Sequence, residues 1–310
     1  MINSSLIVHI GLPKTGTTSL QLNLFPRLCS ENRYHFNPPE YIKIKNQELI
    51  FSQDDKSNLQ KAIKRENILI SHEGLIGWNP FEWEASADRI LDLFGKDAQI
   101  VITIRDPLDF LTSVYLQKIQ EGRLVKAEEF FLSSGDHDLL DKFLLNKNSL
   151  RYDYEKLDYC RLKEMYDSRF AKVYFSPLKF INSLYPFAQL FSLDEEQIKR
   201  YKSILAVAPT RNESYSQLAI KLTFLRNTVL NFLGFKLAGS EDLLKNKPLV
   251  FAKMRKPWRW WMHEVLDKIY PYKKYVLPQS VLKRLQTELM QCNIKFVEDV
   301  EKNIDMTENE

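Results

Sequence analysis

The stretch that most constrains this chain is Leu6-Ile-Val-His-Ile10, followed by Gly11-Leu-Pro-Lys-Thr-Gly-Thr-Thr18 and Ser19-Leu-Gln-Leu-Asn-Leu24. The first five residues are mostly β-branched or apolar and read as a short buried strand. The next eight read as a tight loop, and the last six continue as a helix. A strand, a glycine-containing turn with hydroxyls and a helix start together make an anion site. The first backbone N–H groups of a helix lack internal acceptors and point, with the positive end of the macrodipole, into the preceding loop. Gly11 and Gly16 let the backbone approach a phosphate closely. The chain has nine glycines in all, so two this close together are not filler.

The glycine spacing matches the ATP-binding pattern G-x-x-x-x-G-K-[ST]. One position departs from it: Thr17 stands where the lysine belongs, and the lysine is Lys14, ahead of the second glycine. A lysine after that glycine reaches the β- and γ-phosphates of a triphosphate, with a hydroxyl holding Mg²⁺. Lys14 sits at the side of the loop, nearer the bridging oxygen of a shorter 5′-linked donor. At these residues the chain resembles the sulfotransferase family, whose P-K-[ST]-G-T-[ST] loop holds the 5′-phosphosulfate of 3′-phosphoadenosine-5′-phosphosulfate (PAPS). The resemblance implies that Pro13, Lys14, Thr15, Gly16, Thr17 and Thr18 bind this donor.

A second segment strengthens it. Gln99-Ile-Val-Ile-Thr-Ile104 reads as a buried strand that delivers Arg105 at its carboxyl end, where ligands bind in open α/β sheets. Pro107 suits the first turn of a helix carrying Leu108, Leu111, Tyr115 and Ile119, and places Ser113 about two turns beyond Arg105. An arginine fork and a hydroxyl together suit a second phosphate group. The 3′-phosphate segment of sulfotransferases reads as a hydrophobic strand, an Arg-x-Pro and a serine eight residues past the arginine. The stretch from Ile102 to Tyr115 is similar to it, which implies that Arg105 and Ser113 hold the 3′-phosphate. A surface ion pair of Arg105 with Asp106 or Asp109 is the plain structural alternative.

Sulfuryl transfer to a hydroxyl or amine needs a base for the acceptor's proton and a cation for charge growing on the leaving oxygen. Lys14 suits the second task. For the first, His72-Glu73 follows directly on a second short strand, Asn67-Ile-Leu-Ile-Ser71, at the same end of the sheet. Neighbours on an extended segment point opposite ways, so one of the two faces the acceptor. Small-molecule sulfotransferases place a histidine here and carbohydrate-acting members often a glutamate. The loop is more similar to the carbohydrate branch, which favours Glu73 over His72. His9, inside the first strand, reads as a core histidine. No serine elbow, H-E-x-x-H or paired-aspartate metal pattern occurs, so a metal-free reaction is expected.

Strands alternating with helices predict an α/β fold: a three-layer sandwich on a central parallel sheet of four or five strands. Helical patterning occupies Asp54–Arg65 and Ala85–Phe94, Asn32–Tyr41 reads as a loop, and Ala171–Phe175 as a fourth strand. One sulfotransferase domain is expected, with residues 1–180 carrying the cofactor and a mainly helical 181–310 shaping the acceptor side (helices Ser192–Leu205, Glu213–Leu233 and Gln279–Lys302). Hydrophobic residues make up 44% and the net charge is +4, ordinary for a globular protein and too small to imply nucleic acid. Cys29, Cys160 and Cys292 lie far apart, which suits a reducing compartment better than a disulfide framework. With no apolar run of about 18 residues and no basic leader, a cytoplasmic protein is expected.

Two features of the C-terminal half stand apart. Arg211-Asn-Glu-Ser-Tyr-Ser216 reads as a helix start capped by Asn212 or Ser214. The R-K-G-x-x-G motif of the small-molecule sulfotransferases is missing, which leaves adenine recognition unassigned. Residues 253–275 hold Trp258, Trp260 and Trp261 interleaved with Arg and Lys. Such a segment suits peripheral contact with a membrane, stacking on sugar rings or binding of an acidic polymer; equally, it suits a helix that packs its aromatic face while the cations snorkel. The expected partner is a carbohydrate or glycolipid acceptor. A nucleotide-dependent kinase and a non-catalytic nucleotide-binding module are the alternatives.

Overall fold

The computed structural model describes residues 4–47, 49, 51–120, 124–133, 151–207, 215–232, 258, 261–266, 269–270 and 273–308. The chain divides into two compact units. One comprises Met1–Phe110, Lys156–Arg211 and Glu288–Glu310; the other comprises Leu111–Glu155 and Asn212–Thr287. Residues on both sides of position 180 therefore belong to the first unit.

The strands run in chain order as β1 (Leu6–Gly11), β2 (His35–Phe36), β3 (Ile68–Ser71), β4 (Gln99–Ile104), β5 (Phe131–Leu132), β6 (Tyr152–Asp153) and β7 (Lys172–Pro177). In the first unit, five of them form one parallel sheet in the order β2-β3-β1-β4-β7. All residues of β1 and β3 are buried, so helices cover both faces, and the strands accordingly read as near-continuous apolar runs. Ile7, Leu69 and Val101 face a cluster built with Leu24, Phe25, Phe187 and Tyr201. Val8, Ile10, Ile70, Ile100 and Ile102, at positions of the opposite parity, are also fully buried. β1 lies in the middle with β3 on one side and β4 on the other. The crevice outside its carboxyl end is the switch point where such sheets bind ligands.

The helical run after the loop is continuous but not uniform: α-helical at Thr17–Ser19, π-helical at Leu20–Leu24, α-helical again at Phe25–Glu31. Pro26 has no N–H to extend an α-helical ladder, which accounts for a break in the regular pattern beside it. Helices Gln53–Arg65 and Trp83–Phe94 agree with their patterning. The first is closed by a Ser52/Asp55 capping box and the second by Gly95 at φ 80°.

Three elements differ from expectation. The stretch Asn32–Tyr41 contains the edge strand β2 and opens the helix Pro39–Asn46. Two residues are too few to show alternation, yet His35 N donates to Asn67 O and Asn37 N to Leu69 O. The fourth expected strand runs on to Pro177, which an edge strand tolerates. The helix expected over Gln279–Lys302 is two helices, Gln279–Leu285 and Glu288–Glu308, parted at Gln286, whose ψ of 66° interrupts the ladder.

The second unit holds the two-stranded parallel pair β5–β6, the helix Ala127–Phe130 and the helix Gln217–Phe232. Tyr115 packs against Phe130 and Tyr275 with ring centroids 5.3 and 5.8 Å apart. The expected cap residues Asn212 and Ser214 lie outside the described residues, as do 253–257, Arg259 and Trp260 of the tryptophan segment. Among the described residues, no helix is long and apolar enough to cross a membrane.

Candidate active site

β1 ends at Gly11, and the chain turns through Leu12–Gly16 before the helical run begins at Thr17. The turn is tied to itself and to β4. Leu12 N donates to Thr103 O (3.0 Å), Thr15 Oγ1 donates to Leu12 O (2.6 Å), and Ser19 N donates to Gly16 O (3.0 Å). Gly11 has no room for a side chain: a Cβ there would lie 2.2 Å from Thr17 Cγ2 and 2.8 Å from Thr15 Oγ1. Gly16 takes φ 76°, and Lys14 takes φ 66°, also left-handed. That conformation costs a lysine on the order of 1–2 kcal/mol, and backbone strain of this kind gathers at functional sites. Pro13, Thr15 and Thr17 are buried, whereas Lys14, Gly16 and Thr18 are half-buried along the turn.

Arg105, one residue past β4, comes to this turn. Its Nη1 donates to Lys14 O at 3.3 Å, across 91 positions of sequence. Its Nη2 lies 3.5 Å from Asp109 Oδ2, and its own carbonyl accepts from Tyr159 Oη at 2.9 Å. The pair with Asp109 is the surface contact foreseen as the plain alternative, worth at most about 1 kcal/mol at this exposure and length. The bond to the strained Lys14 carbonyl makes Arg105 part of the loop. Ser113 lies on the helix Pro107–Gln120, in the portion belonging to the second unit, and is buried.

His72 and Glu73 part company. Glu73 opens a single 3₁₀ turn, Glu73–Leu75, and its Oε2 accepts from Thr17 Oγ1 at 3.1 Å, bringing the carboxylate to the start of the helical run. The His72 ring lies against Gly74, where a Cβ would be 2.9 Å from it, and its Nδ1 pairs with Tyr41 Oη at 2.9 Å. Burial, helped by the charge of Lys45, pushes the His72 imidazole down to about 4, so it is neutral at neutral pH and a weak base. Of the two adjacent residues, the structure brings Glu73 to the loop and turns His72 toward the helix Pro39–Asn46.

Sequence reasoning missed Tyr41 and Tyr159 at this site. Tyr159 sits 54 positions from Arg105, and no local pattern announces a pairing of that range. The segment around Trp258 is in part absorbed by packing. Trp258 Nε1 donates to Thr223 Oγ1 (3.1 Å), the Arg226 guanidinium lies 4.6 Å from the Trp258 ring centre, and Trp261 stacks on Trp258 at 5.7 Å.

Fold and loop together define an α/β protein with a tight glycine-containing loop at the carboxyl end of its central strand. No protein-family model matches the chain, and comparison with curated proteins gives no match. Among solved structures, the chain is similar to a mouse sulfotransferase, SULT7A1, complexed with PAP: 13% identity over 85% of this chain and 86% of that chain, TM-score 0.36. It is also similar to a retinol dehydratase in complex with androsterone and inactive cofactor PAP (16%; 86% and 82%; TM-score 0.30). A gluconokinase from Sinorhizobium meliloti 1021 is a third (13%; 72% and 98%; TM-score 0.24). At these TM-scores the likenesses carry no argument, and function is read from the chain's own residues.

Proposed function

We propose that the chain is a sulfotransferase that moves a sulfonate from PAPS to a hydroxyl or amine of a carbohydrate or glycolipid acceptor. The observation that carries this reading is the hydrogen bond from Arg105 to the Lys14 carbonyl, which joins the two phosphate-type motifs at the carboxyl ends of adjacent strands. A triphosphate needs the first motif alone, whereas a 3′,5′-bisphosphate skeleton needs a cation beyond the loop. Two features of the loop support such a ligand: Gly11 lets Thr15 and Thr17 pack tightly against the end of β1, and Lys14 is bent out of ordinary backbone space.

The donor supplies the sulfonate and leaves as adenosine 3′,5′-bisphosphate. The turn Pro13–Thr18 holds its 5′ end, with the backbone N–H groups from Lys14 onward as donors. Lys14 stabilises negative charge at the leaving bridging oxygen. Arg105 and Ser113 hold the 3′-phosphate, the guanidinium as a two-pronged donor. Glu73 takes the acceptor proton; its contact with Thr17 at the loop supports it over His72, whose ring is engaged with Tyr41. The kinase alternative keeps the Gly11/Gly16 spacing, but the position of its lysine is Thr17, whose hydroxyl is committed to Glu73. Segment 253–275 is proposed to recruit a glycolipid acceptor at the inner face of a membrane, with the protein itself cytoplasmic.

Incubation with radiolabelled donor and extracted envelope glycans tests the reading. Label should pass to a glycan with the wild type and be lost with Glu73→Ala. Bisphosphate binding without transfer to any acceptor would instead make the chain a non-catalytic nucleotide-binding module.

A further inference from the structure

His9 is fully buried in the central strand, yet a parallel sheet covered on both faces needs no polar side chain there. Its two ring nitrogens reach the neighbouring strands on either side. Nδ1 lies 2.8 Å from Ser71 Oγ on β3, and Nε2 lies 2.7 Å from Thr103 Oγ1 on β4. Both hydroxyls are buried, Ser71 as the last residue of β3 and Thr103 one residue before the end of β4. The connection extends into the helical run behind the loop: Gln21 Nε2 donates to Ser71 Oγ and to Ser71 O, each at 3.1 Å. Asn37 clamps the same residue, accepting from Ser71 N at 2.9 Å and donating to Ser71 O at 3.3 Å. Thr103 in turn offers its carbonyl to Leu12 N in the loop. Burial pushes the imidazole down to about 3, so the ring stays neutral, one nitrogen donating and the other accepting.

The three members of this chain have one placement in common. Each stands two residues before a residue of the candidate site: His9 before Gly11, Ser71 before Glu73, and Thr103 before Arg105. Residues two apart on a strand share a face, so the strand ends that carry the loop, the carboxylate and the arginine are tied together one pleat below where each leaves the sheet. The contacts made above that level are fine ones, Thr17 Oγ1 to Glu73 at 3.1 Å and Arg105 to Lys14 O at 3.3 Å. A sub-ångström shift of one strand against another would break either.

We infer that His9, with Ser71 and Thr103, is a positioning element that sets the relative heights of β3, β1 and β4 so that Glu73 and Arg105 both meet the loop. This rests on the sulfotransferase reading only for what the loop binds, not for how the loop is held. His9 touches no reacting group and acts through Ser71 and Thr103.

The test is a triple variant, His9→Phe with Ser71→Ala and Thr103→Val. It replaces the buried polar chain by apolar groups of similar shape, a change that can be nearly neutral in stability, and keeps the Gln21 bond to Ser71 O. Phenylalanine also preserves the edge-on packing on Phe25 and Phe187, whose ring centres lie 5.2 and 5.6 Å from that of His9. Amide hydrogen exchange of ligand-free protein should show residues 12–19 opening at least about tenfold faster than in wild type, while amides of β1 and the melting temperature hold. Loop exchange unchanged from wild type would overturn the proposal. The single His9→Phe variant controls for folding: it takes the His9 partner from the buried Thr103 hydroxyl and leaves the Ser71 hydroxyl with Gln21 alone, so it should melt lower than the triple variant, and a single variant as stable as wild type would also count against it. Affinity for adenosine 3′,5′-bisphosphate should fall about tenfold in the triple variant. Faster loop exchange in a protein whose wild type ignores the bisphosphate would keep the positioning role and discard the sulfotransferase reading.

Discussion

Replacing Gly11 by alanine probes the loop with a single methyl group. Gly11 is not among the residues with positive φ, so the substitution strains no backbone and its cost is steric. The new Cβ would sit 2.2 Å from Thr17 Cγ2 and 2.8 Å from Thr15 Oγ1. Both threonines are buried, and each is held by its hydroxyl, Thr15 to Leu12 O and Thr17 to Glu73, so neither yields without losing a bond. Overpacking of this kind costs about 1–3 kcal/mol and a displaced hydrogen bond about 1 kcal/mol more, a total of roughly 2–4 kcal/mol. For a unit of this size that is a fall of about 4–16 °C in melting temperature. Gly95→Ala is the control. Its φ is 80° and its ψ 168°, a region kept to glycine, but nothing lies within 4 Å of the added Cβ, so it pays backbone strain alone, about 1–3 kcal/mol, and leaves the loop untouched. Thermal melts and bisphosphate titrations of both variants separate the two effects. An alanine at position 11 that melts within about 1 °C of wild type and binds as wild type would refute the close packing of loop on strand.

Further outcomes are expected. Glu73→Gln should slow single-turnover sulfation by about 10²–10⁴ with bisphosphate affinity nearly unchanged, and His72→Ala by less than about tenfold; the reverse order would reassign the base. Arg105→Ala should weaken adenosine 3′,5′-bisphosphate by about 10–100-fold and AMP by a smaller factor, since AMP feels only the lost tie to the Lys14 carbonyl, in side-by-side calorimetry. Stability should fall with acid: His9 and His72 are held down to about 3 and about 4 from 6.5, so the unfolded chain takes up protons first as pH drops through 6.5. Stability is then full above about pH 6.5 and is lost below it until each folded-state value is passed. For fully buried His9 the loss from 6.5 to pH 5 is about 2 kcal/mol, and His9→Phe should flatten that slope in urea titrations.

The sheet was legible because a parallel sheet buried on both faces has to be written as apolar runs, and Leu6–Ile10, Ile68–Ser71 and Gln99–Ile104 are such runs. The edge strand at His35–Phe36 was not: it is defined by two backbone bonds to β3 and carries no side-chain periodicity. The loop residues were legible from glycine spacing and the place of Lys14. The choice between His72 and Glu73 was not, since alternation says only that neighbours diverge and not what each meets. Thr17 and Tyr41, in distant parts of the sequence, make that distinction. His9 was legible as a buried residue from its strand, but its two hydroxyl partners lie 62 and 94 positions away, and only the register of three strands brings them together.

The central claim is that two phosphate-type motifs meet at one site, and calorimetric titration of the wild type with adenosine 3′,5′-bisphosphate against ATP–Mg²⁺ tests it most directly. The bisphosphate should bind in one-to-one stoichiometry and at least about 100-fold more tightly than ATP–Mg²⁺. Tight binding of ATP–Mg²⁺ with none of the bisphosphate would contradict it.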